Sequence, residues 1–250
     1  MARIEQMIRL AEVLALPGAG RALLTWKPFS ITSFRVLHRL RQQGVACGTI
    51  LDGGANKGQF ARAATEMYPH ADVIAFEPLP DVAEALRRNL QDRPQVRVVA
   101  SALGSRDGQM PFYRHQYTLA SSALPLEGAP HADENANGAA DRVEQTISVP
   151  VARLDTLLAS EPLRPPVMLK LDLQGYEREA LQGASQTLAR TDYVLLEIGF
   201  EATYQGEATF GALYDHLHAA GFQFCRPLDM LTDASGEIVQ MDALFARSAR

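Results

Sequence analysis

The chain has 250 residues and a formal net charge of -5, with 47% hydrophobic and 21% charged residues. This composition predicts a globular protein that buries a core, and the acidic balance argues against a surface for nucleic acid. The two cysteines, Cys47 and Cys225, lack the spacing of a zinc site, and no uncharged run is long enough to span a bilayer. Without a signal-peptide pattern, the protein is predicted to be cytoplasmic.

Two amphipathic helices are predicted at the start of the chain. Apolar residues recur at helical spacing from Ile4 to Leu16, ahead of Pro17-Gly18, and again from Ile31 to Gln43. We therefore expect residues 1–44 to form an N-terminal helical extension of an α/β domain that covers residues 45–250. This extension is predicted to dock on the core. A homodimer face or peripheral contact with a membrane surface are the alternatives.

The stretch from Thr49 to Glu77 has the pattern of a nucleoside-binding unit. A strand (Thr49–Leu51), a glycine loop, a helix (Gln59–Met67) and a second strand (Val73–Phe76) follow one another, and Glu77 closes the second strand. The loop contains Gly53, Gly54 and Gly58, whose missing Cβ atoms let the backbone approach a ligand. An acid in the position of Glu77 is placed to accept hydrogen bonds from ribose hydroxyls.

The loop spacing favours S-adenosylmethionine over a dinucleotide. The pattern is Asp52-x-Gly54-x-Asn56-x-Gly58 instead of G-x-G-x-x-G. The Asp52 carboxylate would repel a pyrophosphate and attract the α-ammonium group of S-adenosylmethionine. An NAD site, or a glycine turn without any ligand, are the alternatives.

Alternating strands and helices continue to the end of the chain. They predict a mostly parallel, Rossmann-like α/β sheet with one antiparallel strand near the C-terminus. The aperiodic stretch at about 115–142 is predicted to be a substrate loop, with a plain mobile insertion as the alternative. The predicted elements are a helix at Asp81–Leu90, strands at Val96–Ala100, Gln109–Tyr113 and Val149–Ala152, a strand at Val167–Leu173, a helix at Tyr176–Ala189, a strand at Tyr193–Ile198, a helix at Phe210–Ala220 and a hairpin of Phe222–Pro227 with Ile238–Ala246.

Charged residues interrupt two strands that should be buried. Lys170 and Asp172 fall in VMLKLDLQGYE (residues 167–177), and Glu197 ends the neighbouring strand. Burying unpaired charges is costly, so these groups must pair with one another, with a ligand or with a metal. Three interpretations stay open: a structural ion pair of Lys170 with Asp172, Glu177 or Glu197; an Asp172 that orients or deprotonates an acceptor hydroxyl; and a divalent cation on Asp172 and Glu197, which no specific motif supports.

The chain resembles the FkbM-type methyltransferases, a class I branch that uses S-adenosylmethionine. The motifs that carry the resemblance are LDGGANKGQFA (51–61), AFEPLP (75–80), Leu86-x-x-Asn89, SALG (101–104), VPVARLD (149–155), LKLDLQGYEREALQGA (169–184), LLEIGF (195–200) and Tyr204-Gln205-Gly206. The resemblance implies methyl transfer to a hydroxyl oxygen of a sugar, glycolipid or secondary metabolite, a small or glycan-like acceptor. Lys57 and Gly53 differ from the residues common in the family.

The resemblance also assigns expected roles to the residues. Asp52, Gly54 and Asn56 would line the methionine end of the cofactor, and Glu77 would bind its ribose. Ser101 and Ala102 would border the adenine. The catalytic group would comprise Lys170, Asp172, Glu177 and Glu197. An NAD-dependent oxidoreductase and a non-catalytic nucleoside-binding protein are the rival functions.

Overall fold

The computed structural model describes residues 29–115, 118–126, 143–200 and 203–248, and before them residues 11, 14, 16 and 19–25. The strands are β1 (Thr49–Gly53), β2 (Asp72–Phe76), β3 (Val96–Val99), β4 (Ala102–Leu103), β5 (Gly108–His115), β6 (Val143–Ala152), β7 (Val167–Leu171), β8 (Tyr193–Gly199), β9 (Phe222–Thr232) and β10 (Ile238–Arg247). The helices are α1 (Ala19–Thr25), α2 (Ile31–Gln42), α3 (Gln59–Met67), α4 (Pro80–Asn89), α5 (Leu154–Leu157), α6 (Glu177–Gln182), α7 (Ser185–Ala189) and α8 (Phe210–Ala219).

Seven of these strands form the central sheet, in the order β3-β2-β1-β7-β8-β10-β9. The first five run parallel to one another, whereas β10 runs antiparallel to both β8 and β9. Every residue of β1 and of β7 is buried, as expected of central strands covered by helices on both faces. The predicted fold class, with its single antiparallel strand near the C-terminus, is confirmed.

A second, three-stranded sheet in the order β4-β6-β5 lies outside the central one. It contains the predicted strand at Gln109–Tyr113, which pairs antiparallel with β6, and the predicted strand at Val149–Ala152, which is the last part of β6. The helix predicted from Tyr176 to Ala189 is divided in two at Gly183. A Cβ on Gly183 would lie 2.0 Å from the Gly104 carbonyl oxygen, so the break lets two backbone segments touch.

Helix α2 packs on the core before the sheet begins. Its N-cap Ser30 accepts a hydrogen bond from the Ser33 N–H at 3.1 Å, and it buries Phe34, Leu37 and Leu40 in the cluster that also contains α3. The helix predicted at Ile4–Leu16 lies largely outside the described residues, as do 116–117 and 127–142 of the predicted substrate loop. The division at residue 44 and the dimer face stay predictions. None of the described helices is long and apolar enough to cross a membrane.

Candidate functional site

The glycine loop after β1 lies directly against the end of β7. Gly54 adopts a left-handed φ of 75°, and a Cβ at this position would lie 1.9 Å from the Asp172 carbonyl oxygen. The loop is tied to β2 as well, because the N–H groups of Gly54 and Ala55 donate to the Phe76 carbonyl at 3.1 and 3.0 Å. Residue 54 must therefore be glycine for the carboxyl ends of these neighbouring strands to meet.

Glu77 is fixed at the carboxyl end of β2. Its Oε2 accepts a hydrogen bond from the Asn56 N–H at 3.0 Å, and its Oε1 accepts one from the Leu79 N–H at 2.9 Å. The side chain is buried, and this burial raises the pKa of Glu77 to about 7. Each carboxyl oxygen keeps a lone pair that can accept a hydroxyl hydrogen from a ligand.

A narrow cavity of about 50 Å³ opens beside Glu77. Its wall combines polar groups from the ends of β1, β2 and β7 with apolar side chains of the small sheet. The residues are Gly54, Asn56, Phe76, Glu77, Pro78, Leu79, Ser101, Ala102, Leu103, Phe112, Thr118, Leu119, Ser121, Ala123, Asp172, Leu173, Gln174 and Tyr176. Both Ser101 and Ala102, the residues predicted to border adenine, belong to this wall.

Lys170 is a buried cation between two carboxylates. Its Nζ lies 3.2 Å from Asp52 Oδ1 and 3.5 Å from Asp172 Oδ2, and 5.4 Å from the centre of the Phe60 ring. Burial lowers the pKa of Lys170, but Asp52, Asp172 and Glu197 outweigh that effect, so its pKa lies above the usual value. Asp52 is completely buried, and this burial raises its pKa.

Asp172 and Glu197 are joined by one amide. Gln174 Nε2 donates to Asp172 Oδ1 at 2.8 Å and to Glu197 Oε2 at 2.9 Å. Gln240 Nε2 donates to the other Glu197 oxygen. Burial and the neighbouring Asp172 raise the pKa of Glu197 well above its usual value. The pKa of Asp172 is lowered, because Lys170 and the hydrogen bonds outweigh burial. Within the pair, the ionised form is therefore favoured at Asp172 and the neutral form at Glu197.

A wider cavity of about 640 Å³ lies on the other side of Asp172. The start of α2 forms one wall and the β9–β10 hairpin forms another. The lining residues are Phe29, Ser30, Thr32, Ser33, Val36, Gly54, Ala55, Asn56, Lys57, Gln59, Phe60, Thr118, Leu119, Lys170, Asp172, Leu195, Glu197, Asp229, Met230, Leu231, Gln240, Met241 and Asp242. Gly54, Asn56, Thr118, Leu119 and Asp172 line both cavities, so the two meet there.

Comparison with known proteins identifies the family. The model of the methyltransferase FkbM domain matches residues 52–224, which is more than half of the chain. The chain belongs to the FkbM methyltransferase family. The predicted enzyme class, a methyltransferase dependent on S-adenosylmethionine, is thereby confirmed over the NAD-dependent and non-catalytic rivals.

Named relatives share moderate identity with this FkbM methyltransferase. The 2-O-methyltransferase NoeI of Sinorhizobium fredii is 28% identical over 170 residues, which are 67% of this chain and 70% of NoeI. The hexuronic acid methyltransferase AglP of Haloferax volcanii is 26% identical over 164 residues, or 65% of this chain and 61% of AglP. The structure of magnesium protoporphyrin IX methyltransferase (ChlM) from Synechocystis PCC 6803 with bound SAM aligns over 87% of this chain and 78% of ChlM, at 13% identity and a TM-score of 0.48.

The FkbM methyltransferase gathers most of the predicted site residues around the two cavities. Asp52, Gly53, Gly58 and Glu177 are the exceptions among the described residues, because they line neither cavity. Gly58 caps α3 with a left-handed φ of 96°. Glu177 is buried, accepts the Leu173 N–H at 2.6 Å, and has a pKa that burial raises to about 8.

Gln174, Gln240 and Asp242 are polar wall residues of this FkbM methyltransferase that the sequence reasoning missed. Gln174 lies inside a quoted motif, and its signal was its position two residues after Asp172. Gln240 and Asp242 lie on β10, where the antiparallel register sets Asp242 opposite Glu197. No local motif marks them, since only the strand pairing brings them to the site. In the described part of the chain, no group of three or more His, Cys, Asp or Glu side chains could hold a metal ion.

Proposed function

We propose that this enzyme methylates a hydroxyl oxygen of a sugar or a similar small polyol, and that the transfer takes place beside Asp172. The observation that carries the proposal is the junction of the two cavities, because Asp172 lines both. A donor bound in the narrow cavity and an acceptor bound in the wider one would meet at this carboxylate. Holding two reactants in line is itself a large part of catalysis.

The residues of the narrow cavity fit S-adenosylmethionine. The buried Glu77 carboxyl group suits the ribose hydroxyls, and Ser101 and Ala102 suit the edge of the adenine. Gly54 and Asn56 would hold the methionine end near the junction. With a volume of about 50 Å³ the cavity is smaller than a nucleoside, so its wall must open to admit the cofactor. The turn Thr118–Ala120 is our candidate for the part of the wall that moves, because Thr118 lines both cavities. Asp52 would act indirectly, because its carboxylate is buried against Lys170.

The wider cavity suits a polar acceptor. Its wall presents hydroxyl, amide and carboxyl groups, which match the donors and acceptors of a sugar ring. The relative named a 2-O-methyltransferase supports transfer to oxygen, and the relative named a hexuronic acid methyltransferase supports a sugar ring as the acceptor. In this wall Asp172 is paired with Lys170, Asp229 is paired with Arg35 and Arg39, and Glu197 favours its neutral form. Asp242 is then the wall carboxyl group that would repel an anionic acceptor, so a neutral acceptor is favoured.

The chemistry assigns Asp172 to the acceptor. S-adenosylmethionine supplies a methyl group on a sulfonium, which is already a good leaving group. The ionised Asp172 would accept the hydrogen of the acceptor hydroxyl and aim its oxygen, and would take the proton as the new C–O bond forms. Lys170, 3.5 Å away, keeps that carboxylate ionised.

Two measurements test the proposal. S-adenosylhomocysteine should raise the unfolding temperature of the protein, and NAD should not. Asp172→Asn should then keep its affinity for S-adenosylhomocysteine in calorimetry and lose about a hundredfold or more in turnover with labelled S-adenosylmethionine and a panel of neutral glycosides. Wild-type turnover in this variant would remove the role of the carboxylate.

A further inference from the structure

The backbone of Gln174 is unusual. It adopts a left-handed φ of 55°, one of two such non-glycine residues in the described ranges, and Gly175 follows with a φ of 92°. Side chains other than glycine seldom adopt this conformation, so surrounding contacts must hold it in place. One of these contacts is the Ser122 hydroxyl, which donates to the Gln174 carbonyl at 2.7 Å.

The orientation of the Gln174 amide is determined by its neighbours. One amide atom lies 2.8 Å from Asp172 Oδ1 and 2.9 Å from Glu197 Oε2. Only the nitrogen can donate to both carboxyl groups, since an amide oxygen there would face the Asp172 carboxylate. Each hydrogen of the NH₂ group therefore serves one carboxyl group.

Tyr204 supports the same amide from the opposite side. Its hydroxyl donates toward Gln174 Oε1 at 2.8 Å and lies 3.2 Å from the Ala120 carbonyl, and its side chain is buried. The ring packs closely on the loop, because a Cβ on Gly175 would lie 3.3 Å from Tyr204 Cδ2. This contact gives the Tyr204-Gln205-Gly206 motif a structural purpose that its sequence did not reveal.

The remaining carboxyl oxygens have donors of their own. Lys170 serves Asp172 Oδ2, and Gln240 serves Glu197 Oε1. Each of the four oxygens thus faces a donor, and the two carboxyl groups are also hydrogen-bonded to each other. These contacts lock both groups in position. The ionisable groups that act on this pair from the elements packed around it are Lys170 on β7, Asp52 on β1, Asp242 on β10 and Glu177 on α6.

We infer that Gln174 is a positioning residue for methyl transfer: its amide, held by Tyr204, sets the geometry of Asp172 and Glu197 at the junction of the two cavities. This inference rests on the proposed function. Without the amide, the two carboxyl groups would lose a shared donor that lies 2.8 and 2.9 Å from their oxygens. Asp172 would then be a weaker and less well-aimed acceptor for the substrate hydroxyl.

The test compares three variants with one control. Gln174→Gly removes the amide and suits the left-handed backbone, Gln174→Asn keeps an amide that is too short to reach both carboxyl groups, and Tyr204→Phe removes only the supporting hydroxyl. The control is Gln205→Ala, because this neighbouring side chain is exposed. The readouts are the ¹³C NMR titration of the Asp172 and Glu197 carboxyl carbons in the ligand-free protein, and kcat and KM for a neutral glycoside acceptor.

In Gln174→Gly, the Asp172 titration should move to higher pH, because a donor to the ionised form is lost. At neutral pH kcat should fall by about tenfold to a hundredfold, with a smaller change in KM. Gln174→Asn should behave similarly, Tyr204→Phe should show a weaker effect in the same direction, and Gln205→Ala should match the wild type.

A wild-type titration together with a wild-type kcat in Gln174→Gly would overturn the inference. If that variant does not fold, Tyr204→Phe tests the inference with the same measurements. An unchanged titration of Asp172 and Glu197 in Tyr204→Phe would then overturn it. A shifted titration in a protein whose wild type methylates no hydroxyl acceptor would support the placement of the carboxyl groups and count against the proposed function.

Discussion

Replacing Gly54 by alanine adds one methyl group and should disrupt the candidate site. The left-handed φ of 75° costs an alanine about 1–2 kcal/mol. The added Cβ would also lie 1.9 Å from the Asp172 carbonyl oxygen and 3.0 Å from its carbon, so backbone must move. Overpacking of this kind costs about 1–3 kcal/mol, which gives a total loss of about 2–5 kcal/mol in the free energy of unfolding.

Gly44→Ala is the matched control. Gly44 has a φ of 76°, and a Cβ there would have nothing within 4 Å, so this variant carries the conformational cost alone. Urea unfolding of both variants isolates the clash, and calorimetry with S-adenosylhomocysteine reports on the cofactor side. We expect Gly54→Ala to be less stable than Gly44→Ala and to lose most of its affinity. Equal stability together with wild-type affinity would show that the contact between the loop and Asp172 does not shape the site.

Three more predictions follow from the charges. The affinity for S-adenosylhomocysteine should fall by up to about tenfold per pH unit below pH 7, because Glu77, with a pKa of about 7, becomes protonated there. Calorimetry across this pH range should show the fall in the wild type and a pH-independent affinity in Glu77→Gln. Lys170→Met should lower the free energy of unfolding, measured in urea, by about 3–5 kcal/mol, since Asp52 stays buried without its cation. Adding Asp52→Asn to this variant should restore part of the loss. A Lys170→Met variant as stable as the wild type would contradict this prediction. Neutral glycosides should be methylated faster than hexuronates, and the ratio of the two rates should be larger at pH 8 than at pH 6. Burial raises the pKa of Asp242 to about 7, so this carboxyl group is ionised at pH 8 and repels a hexuronate. In Asp242→Asn, rates measured with labelled S-adenosylmethionine should give the same ratio at both pH values.

The fold was largely predictable because its signals are local. The unit from Thr49 to Glu77 was predicted with its helix and second strand at the right residues, since period and glycine position fix them. The small second sheet was not predicted, because β6 pairs with β4 and β5 through contacts between distant segments. The helix break at Gly183 was not predicted for a similar reason. The helical pattern of the sequence continues through Gly183, and only the close approach of the Gly104 backbone requires the break.

The sequence predicted those site residues whose charge is unusual for a buried strand. Lys170 and Asp172 stood out because strands buried on both faces are otherwise apolar. Gln174 and Gln240 did not, since an uncharged amide in a loop or on an edge hairpin is ordinary. Asp52 shows the limit of motif spacing. Its position in the pattern was recognised, but its burial against Lys170 depends on the register between β1 and β7, which sets Asp52 opposite Lys170.

The two walls of the wider cavity are tied to each other. Arg35 and Arg39 of α2 lie 3.4 and 3.5 Å from Asp229 of β9. Both walls come from segments outside β1 to β8, whereas the narrow cavity is built from segments between those strands. Under the proposed function, substitutions at residues 29–39 and 229–242 would alter the acceptor side without touching Glu77, Ser101 or Ala102 of the narrow cavity. An exchange of one segment between family members would need its partner segment exchanged too, so that the arginines keep their aspartate.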